Sequence, residues 1–399
     1  MTPVHDVDAA IASTSRRELS TGVDRENSLS VLACILLALP GVLMLALIFG
    51  PRLFASDQVD DFTGFLIGAK LLGTAKLYAV QANLELQKQL VGSTEPRLIF
   101  VRLPFVAFAM KPFLFLPYGF AVFLWRGLLA TALLAFIVMS KHHARNVGLA
   151  VCWSIPAAAS LAISNDAPLI LLFIGLSLAC RAKGWHFAAG TVLGLCLAKF
   201  HFLIFLPFLL FRAAYRRELA GFASVAVVLL AINFAVQPDW IPLYWGALNL
   251  PQANMNPHAM LMPDFYASFF WTGHPGIGVI AGALVVTAAL WPLCRRLPFD
   301  LAMPLCILGG LLVAPHTNYL DWILAFPAIF AARYHFAGLK GVTWFLLSPI
   351  AGMLCFPATG PQTIGPMIIV AASLWMLWAA VHVTSPHTLE NRNRIMSGV

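Results

Sequence analysis

Apolar stretches of about 20 residues recur along this sequence, and they restrict what it can fold into before any motif is read. The first runs from Ser30 to Gly50. A run of that length matches the hydrocarbon core of a bilayer, where every backbone N–H and C=O must be satisfied within the segment, as a helix does. The chain is 60% hydrophobic and 11% charged, a balance that would leave a water-facing surface far too apolar. The expected fold is all-α: a polytopic transmembrane helical bundle with about 11–13 membrane segments, some of them short or re-entrant. One membrane domain, 30–383, is expected between tails at 1–29 and 384–399, with long loops at 51–117 and 237–275.

Punctuation within the apolar runs adds detail. Residues 98–116 contain Pro104 and Pro112 together with Arg102 and Lys111, so a broken or re-entrant segment is expected there. Phe62, Phe65, Leu66, Ala69 and Leu72 share one helical face, which suggests a helix lying in the membrane interface. The run 186–211 is interrupted at Lys199-Phe200-His201. Two short helices meeting at that point would hold Lys199 and His201 at membrane depth. The cysteines lie almost entirely inside apolar runs without a C-x-x-C pair, and read as small buried hydrophobes.

The net charge of +8 does not signal nucleic-acid binding, because its positions follow the loops. Arg16, Arg17, Arg25, Lys141, Arg145, Arg181, Lys183, Arg212, Arg216, Arg217, Arg295, Arg296, Arg333, Lys340, Arg392 and Arg394 fall on one side of the expected layout. By the positive-inside rule that side is cytoplasmic and holds both termini. Asp57, Asp60, Asp61, Asp166, Asp264 and Asp321 fall on the other.

The far side also collects the groups able to do chemistry. They are the cluster Asp57/Asp60/Asp61, the hairpin Asn165-Asp166, Lys199 with His201, and Pro315-His316-Thr317-Asn318-Tyr319-Leu320-Asp321. Ionisable groups at membrane depth are costly and mark a site or a pathway by default. Arg126, inside an apolar run, suits either a lipid phosphate or a buried acceptor. Asp321 also suits a helix cap. No metal-ligand spacing such as H-x-x-x-H occurs, and no G-x-G-x-x-G or Walker pattern, so neither a metal nor a nucleotide cofactor is expected. A transporter or flippase for a lipid-linked or polar solute is the alternative reading. It predicts internal symmetry and acids buried mid-span, whereas the acids here gather at one face.

Asp61-Phe-x-x-Phe65, Gly68-Ala69, Leu72-Gly73 and Leu77-Tyr78 together resemble the opening motif of glycosyltransferase family 87. Leu103-Pro104-Phe105, the Asn165 hairpin, Ala189-Gly190, Leu197-Ala198-Lys199 and Pro315-His316 follow in family order, and the likeness spans about 30–380. It departs at Ser164-Asn165, where a Gly-Gln pair is usual, and at Phe200, where Pro is usual. The resemblance implies a C-type glycosyltransferase of the bacterial inner membrane. Its donor would be a polyprenyl-phosphate sugar, and its acceptor a lipid or glycan at the extracytoplasmic face. It implies Asp61 as the catalytic base, with Asp60 in reserve. Arg102, Arg126, Asn165, Lys199, His201, His316, Tyr319 and Asp321 become the expected substrate-binding groups.

Overall fold

In the computed structural model, residues 31–95, 97–140, 143–249, 262–315, 317–336, 338–355 and 364–384 are described. The two expected tails and His316 lie outside them. Every regular element among these residues is a helix. Six are long and apolar enough to cross a membrane: Ala33–Phe54, Tyr118–Met139, His186–Leu203, Ala213–Val236, Pro275–Arg296 and Ile364–Val383. Shorter apolar helices at Pro104–Phe115, Ala167–Ala182 and Phe299–Val313 complete the layer.

Burial sorts these helices into a centre and a rim. From Ala302 to Val313 every residue is buried, so the Phe299–Val313 helix is enclosed by protein on all sides. Leu47, Val227, Val228 and Leu284 are exposed apolar side chains on the outer helices, as expected where lipid replaces water.

Lipid tails are as apolar as leucine, so close packing must hold such helices together. Glycine supplies it where Arg216–Val236 crosses His186–Gly194. A Cβ on Gly190 would lie 1.9 Å from the Glu218 carbonyl oxygen, and one on Gly221 would lie 2.1 Å from that of Phe187. Backbone meets backbone in both directions, and nothing flexible can yield.

The expected break at Lys199 is present. The helix tightens to a 3-10 turn over Leu195–Leu203, and Lys199 itself is non-helical at φ −126°, ψ 56°. The segment 98–116 is also broken, as Pro104–Met110 followed by a 3-10 turn, Lys111–Phe115.

The Asp61–Leu71 helix differs from expectation. It does not lie with one face toward lipid: every residue from Phe62 to Ala69 is buried. Val80–Val91, Pro104–Met110 and Lys111–Phe115 pack around it. Phe62 sits against the rings of Phe113, Tyr118 and Trp125. The sequence pattern misleads because Thr63, Gly64 and Gly68 read as a weakly polar face. Their small size instead admits neighbouring chains, and the ring of Phe100 lies over Gly68.

Gly190→Leu therefore forces the two helices apart and is expected to lower stability by about 1–3 kcal/mol. Gly127→Ala, at an exposed position with open space around it, is expected to be neutral. Thermal unfolding in detergent, followed by loss of the monodisperse chromatographic peak, separates the two outcomes.

Candidate functional site

Two adjacent acids begin the site, and the fold uses them differently. Asp60 is the N-cap of Asp61–Leu71 and forms a capping box with Thr63. Its Oδ1 accepts from the Thr63 N–H at 3.0 Å, and its own N–H donates to Thr63 Oγ1 at 3.2 Å. Its Oδ2 accepts from Ser164 Oγ and from Arg126 Nη2, the latter at 3.1 Å.

Arg126, buried on the Tyr118–Met139 helix, has five N–H donors and five acceptors here. Besides Asp60 it donates to the carbonyls of Leu53, Ala55 and Ala162 and to Ser164 Oγ. One guanidinium thus ties the end of the first membrane helix, the end of Ile155–Ala162 and the cap of Asp61–Leu71. Arg126 has no donor left over for a lipid phosphate. Asp60, buried and saturated, belongs to the same clasp.

Asp61 is half-buried, and its N–H donates to the Ile163 carbonyl at 3.0 Å. Its Oδ2 accepts from Asn165 Nδ2 at 2.6 Å. Burial raises its pKa to about 6 against the lowering influence of Asn165, Arg102 and Lys199.

The hairpin that carries Asn165 turns at Ser164, the one described non-glycine residue with positive φ, at 59°. Such a conformation costs a non-glycine residue roughly 1 kcal/mol or more. The Ser164 hydroxyl offsets that cost by donating to Asp60 and accepting from Arg126 Nε, bonds that a glycine could not make.

Next to Asn165, Asp166 is the hub of the ion network. Its Oδ1 lies 3.2 Å from Arg102 Nη2 and 2.8 Å from Lys199 Nζ. Burial pushes the Asp166 carboxyl up, but the two cations outweigh it and hold the group below the usual carboxylate range. Lys199, turned inward by its non-helical backbone, is fully buried. Its ammonium also donates to Asn165 Oδ1 at 3.1 Å and to Asp321 Oδ1. Asp321 is held in turn by a capping box with Asn318, whose N–H reaches Oδ2 at 3.1 Å.

Arg102 is different. The one hydrogen bond of its side chain among the described residues is to Asp166, and its guanidinium lies 5.9 Å over the Phe65 ring. Its side chain is 19% exposed. Most of its donors therefore remain available on the side that also holds Asp61.

The expected residues thus divide. Asp61, Arg102, Asn165, Lys199 and Asp321 converge on one cluster, and Tyr319 lies within electrostatic range of Asp61. His201 is placed on the wall of an apolar cavity of about 440 Å3, with Phe200, Leu203, Ile204 and Pro315. Asp57 is an exposed loop acid. The site has two members that the resemblance did not assign, Asp166 and Ser164. The signal for Asp166 was its charge in the far-side hairpin; nothing in the sequence announces the φ of Ser164.

Removal of the two acids leaves different groups behind. Asp60→Asn leaves Arg126 as an unbalanced buried charge, a loss of about 3–5 kcal/mol. Asp61 is raised by the fold, so its charged form is disfavoured above pH 6 relative to the unfolded chain. Asp61→Asn is expected to melt at pH 7.5 no lower than the unsubstituted protein. Melting curves of both variants in one detergent test the division.

Comparison with known proteins identifies the family. The model of glycosyltransferase family 87 matches residues 100–315, more than half of the chain. The matched region holds Arg102, Arg126, Asn165, Asp166, Lys199 and His201; Asp61 lies before it and Asp321 after it. No curated protein and no solved structure matches. With its bundle of apolar helices, this multi-pass membrane protein belongs to glycosyltransferase family 87.

Proposed function

We propose that the protein is an inverting hexosyltransferase. It moves a mannose-like sugar from a polyprenyl-phosphate donor to a hydroxyl of a lipid or glycan acceptor, at the extracytoplasmic face of the bacterial inner membrane. The reading rests on one observation. Among the charged groups of the cluster, Asp61 and Arg102 keep bonding capacity for a ligand, while Lys199, Asp166 and Asp321 are engaged with one another. A base and a cation facing one space match a reaction that removes a proton and releases a phosphate.

In this mechanism the acceptor oxygen attacks the anomeric carbon as its proton passes to Asp61. The bond from that carbon to the phosphate oxygen breaks, and its electron pair stays on the lipid phosphate. Arg102 donates hydrogen bonds to the developing charge, and its planar guanidinium suits phosphate oxygens. Lys199, clamped between Asp166 and Asp321, fixes Asn165, whose amide orients Asp61. The nearly all-apolar cavity beside His201 suits the donor's prenyl chain. The basic residues of the opposite loops support cytoplasmic termini, which would put this cluster at the outer leaflet.

A membrane assay with a labelled lipid-linked sugar tests the proposal. Asp61→Asn is expected to abolish transfer, and Arg102→Gln to lower the rate about 10²–10³-fold. Normal transfer by Asp61→Asn, or solute flux in proteoliposomes without a glycan product, would overturn it.

The pH profile gives a separate check. Asp61 must be ionised to act as a base, and its pKa is raised to about 6 by burial. The kcat/KM of the unsubstituted protein is therefore expected to be flat above pH 7. Below pH 6 it should fall tenfold per pH unit.

A further inference from the structure

Phe326–His335 starts just after the turn that carries Asp321 and runs away from the Asp61 cluster. At 1.5–2 Å per residue its Arg333 lies roughly 20 Å from Asp321, at the other end of the bundle. Arg333 is 9% exposed, and its Nε and Nη1 are buried with no hydrogen-bond partner. No ion pair reaches it among the described residues. Its guanidinium instead stacks on aromatic faces, 4.0 Å from the Trp344 ring centre and 5.8 Å from that of Tyr334.

An orphaned guanidinium in a buried setting carries a desolvation penalty that only an acceptor, preferably a charged one, removes. The surroundings favour an anion from outside. The helices Ala144–Cys152, Phe326–His335 and Lys340–Leu347, which meet here, contain Arg145, Arg333, His335 and Lys340 but no acid. The aromatic wall is held rigidly. Asn146 Nδ2 donates to the Tyr334 hydroxyl at 2.7 Å, and His143 stacks on the Tyr334 ring at 3.7 Å. Trp344 is 47% exposed, on a helix that opens with Lys340. A half-exposed indole beside a lysine is the side-chain pairing found at headgroup depth.

We infer that Arg333 and Trp344 form a binding site for the phosphate of an anionic membrane phospholipid, in the leaflet opposite the Asp61 cluster. A phosphodiester brings one negative charge and two non-bridging oxygens to a guanidinium with two buried donors in want of acceptors. The indole occupies the face of the guanidinium and leaves its edge to the phosphate. The acyl chains would then lie along the outer face of the Lys340–Leu347 helix, where Trp344 is already exposed. This site is separate from the glycosyl-transfer reading and does not depend on it.

The test is a lipid titration of the full chain in mild detergent, read by native mass spectrometry and by thermal unfolding. Dioleoylphosphatidylglycerol is expected to give one retained adduct and to raise the melting temperature of the unsubstituted protein. Arg333→Gln should weaken that adduct at least tenfold and Trp344→Leu several-fold, with Arg333→Lys between. Because Arg333→Gln removes a buried group, Trp344→Leu at the surface serves as the variant whose folding is not at issue. Equal retention by Trp344→Leu and Arg333→Lys would overturn the inference. So would equal stabilisation by uncharged dioleoylglycerol, which has no phosphate. An effect reproduced by inorganic phosphate alone would also overturn it, by making the site one for a free anion.

Discussion

The Asp60–Arg126 pair is the interaction on which the rest of this structure depends. Three chain segments end within reach of one guanidinium: the first membrane helix at Leu53 and Ala55, Ile155–Ala162 at its last carbonyl, and Asp61–Leu71 through its cap. Helix ends leave backbone groups unsatisfied, and in a bilayer there is little water to take them up. Arg126 supplies five donors at the point where those ends meet, and Asp60 supplies the balancing charge. Asp61 is the next residue after Asp60, so its position follows from the clasp. Asp61 thus owes its orientation to a buried pair whose own bonding capacity is used up.

Charge bookkeeping explains the remainder of the cluster. Asp61, Asp166 and Asp321 face Arg102 and Lys199, so one negative charge is left over among five groups. Lys199 is surrounded by acceptors. Asp166 is held ionised by two cations. The surplus therefore falls on Asp61, the member with the weakest compensation, and its pKa rises while that of Asp166 falls. Environments that drive neighbouring carboxyl groups in opposite directions assign different tasks to identical side chains. Here one carboxylate is a fixed counter-ion, and the other is the one that most readily holds a proton.

Much of this was legible in the sequence, for reasons that also explain the failures. Span lengths and the breaks at Pro112 and Lys199 follow from local rules about hydrophobic length and backbone geometry, and the structure has them where the sequence puts them. Asp61, Lys199 and Asp321 stood out because charge is scarce in an apolar chain, and Asn165 through the resemblance of its hairpin. What the sequence could not show is how bonding capacity is shared out. Arg126 and Arg102 look alike as lone arginines near apolar runs. Only the carbonyls of Leu53, Ala55 and Ala162, far apart in the chain, reveal that one of them is fully occupied. The Asp61–Leu71 helix misleads for a related reason. Thr63 and Gly68 suggest an outer face until Tyr118 and Phe100 are seen to pack on them.

Ser164 shows how a strained backbone position can be accommodated by local physics. A glycine at this turn would adopt positive φ without strain, and a serine adopts it at a cost. The hydroxyl joins Asp60 to Arg126 within the buried clasp, where a hydrogen bond to a charged group is worth about 1.5–3 kcal/mol. That exceeds the backbone strain, so the hydroxyl holds the hairpin in this turn. It strengthens the support behind Asn165 and Asp166, the two residues through which Lys199 acts on Asp61. Beyond that turn, the Asn165 amide bridges Lys199 and Asp61.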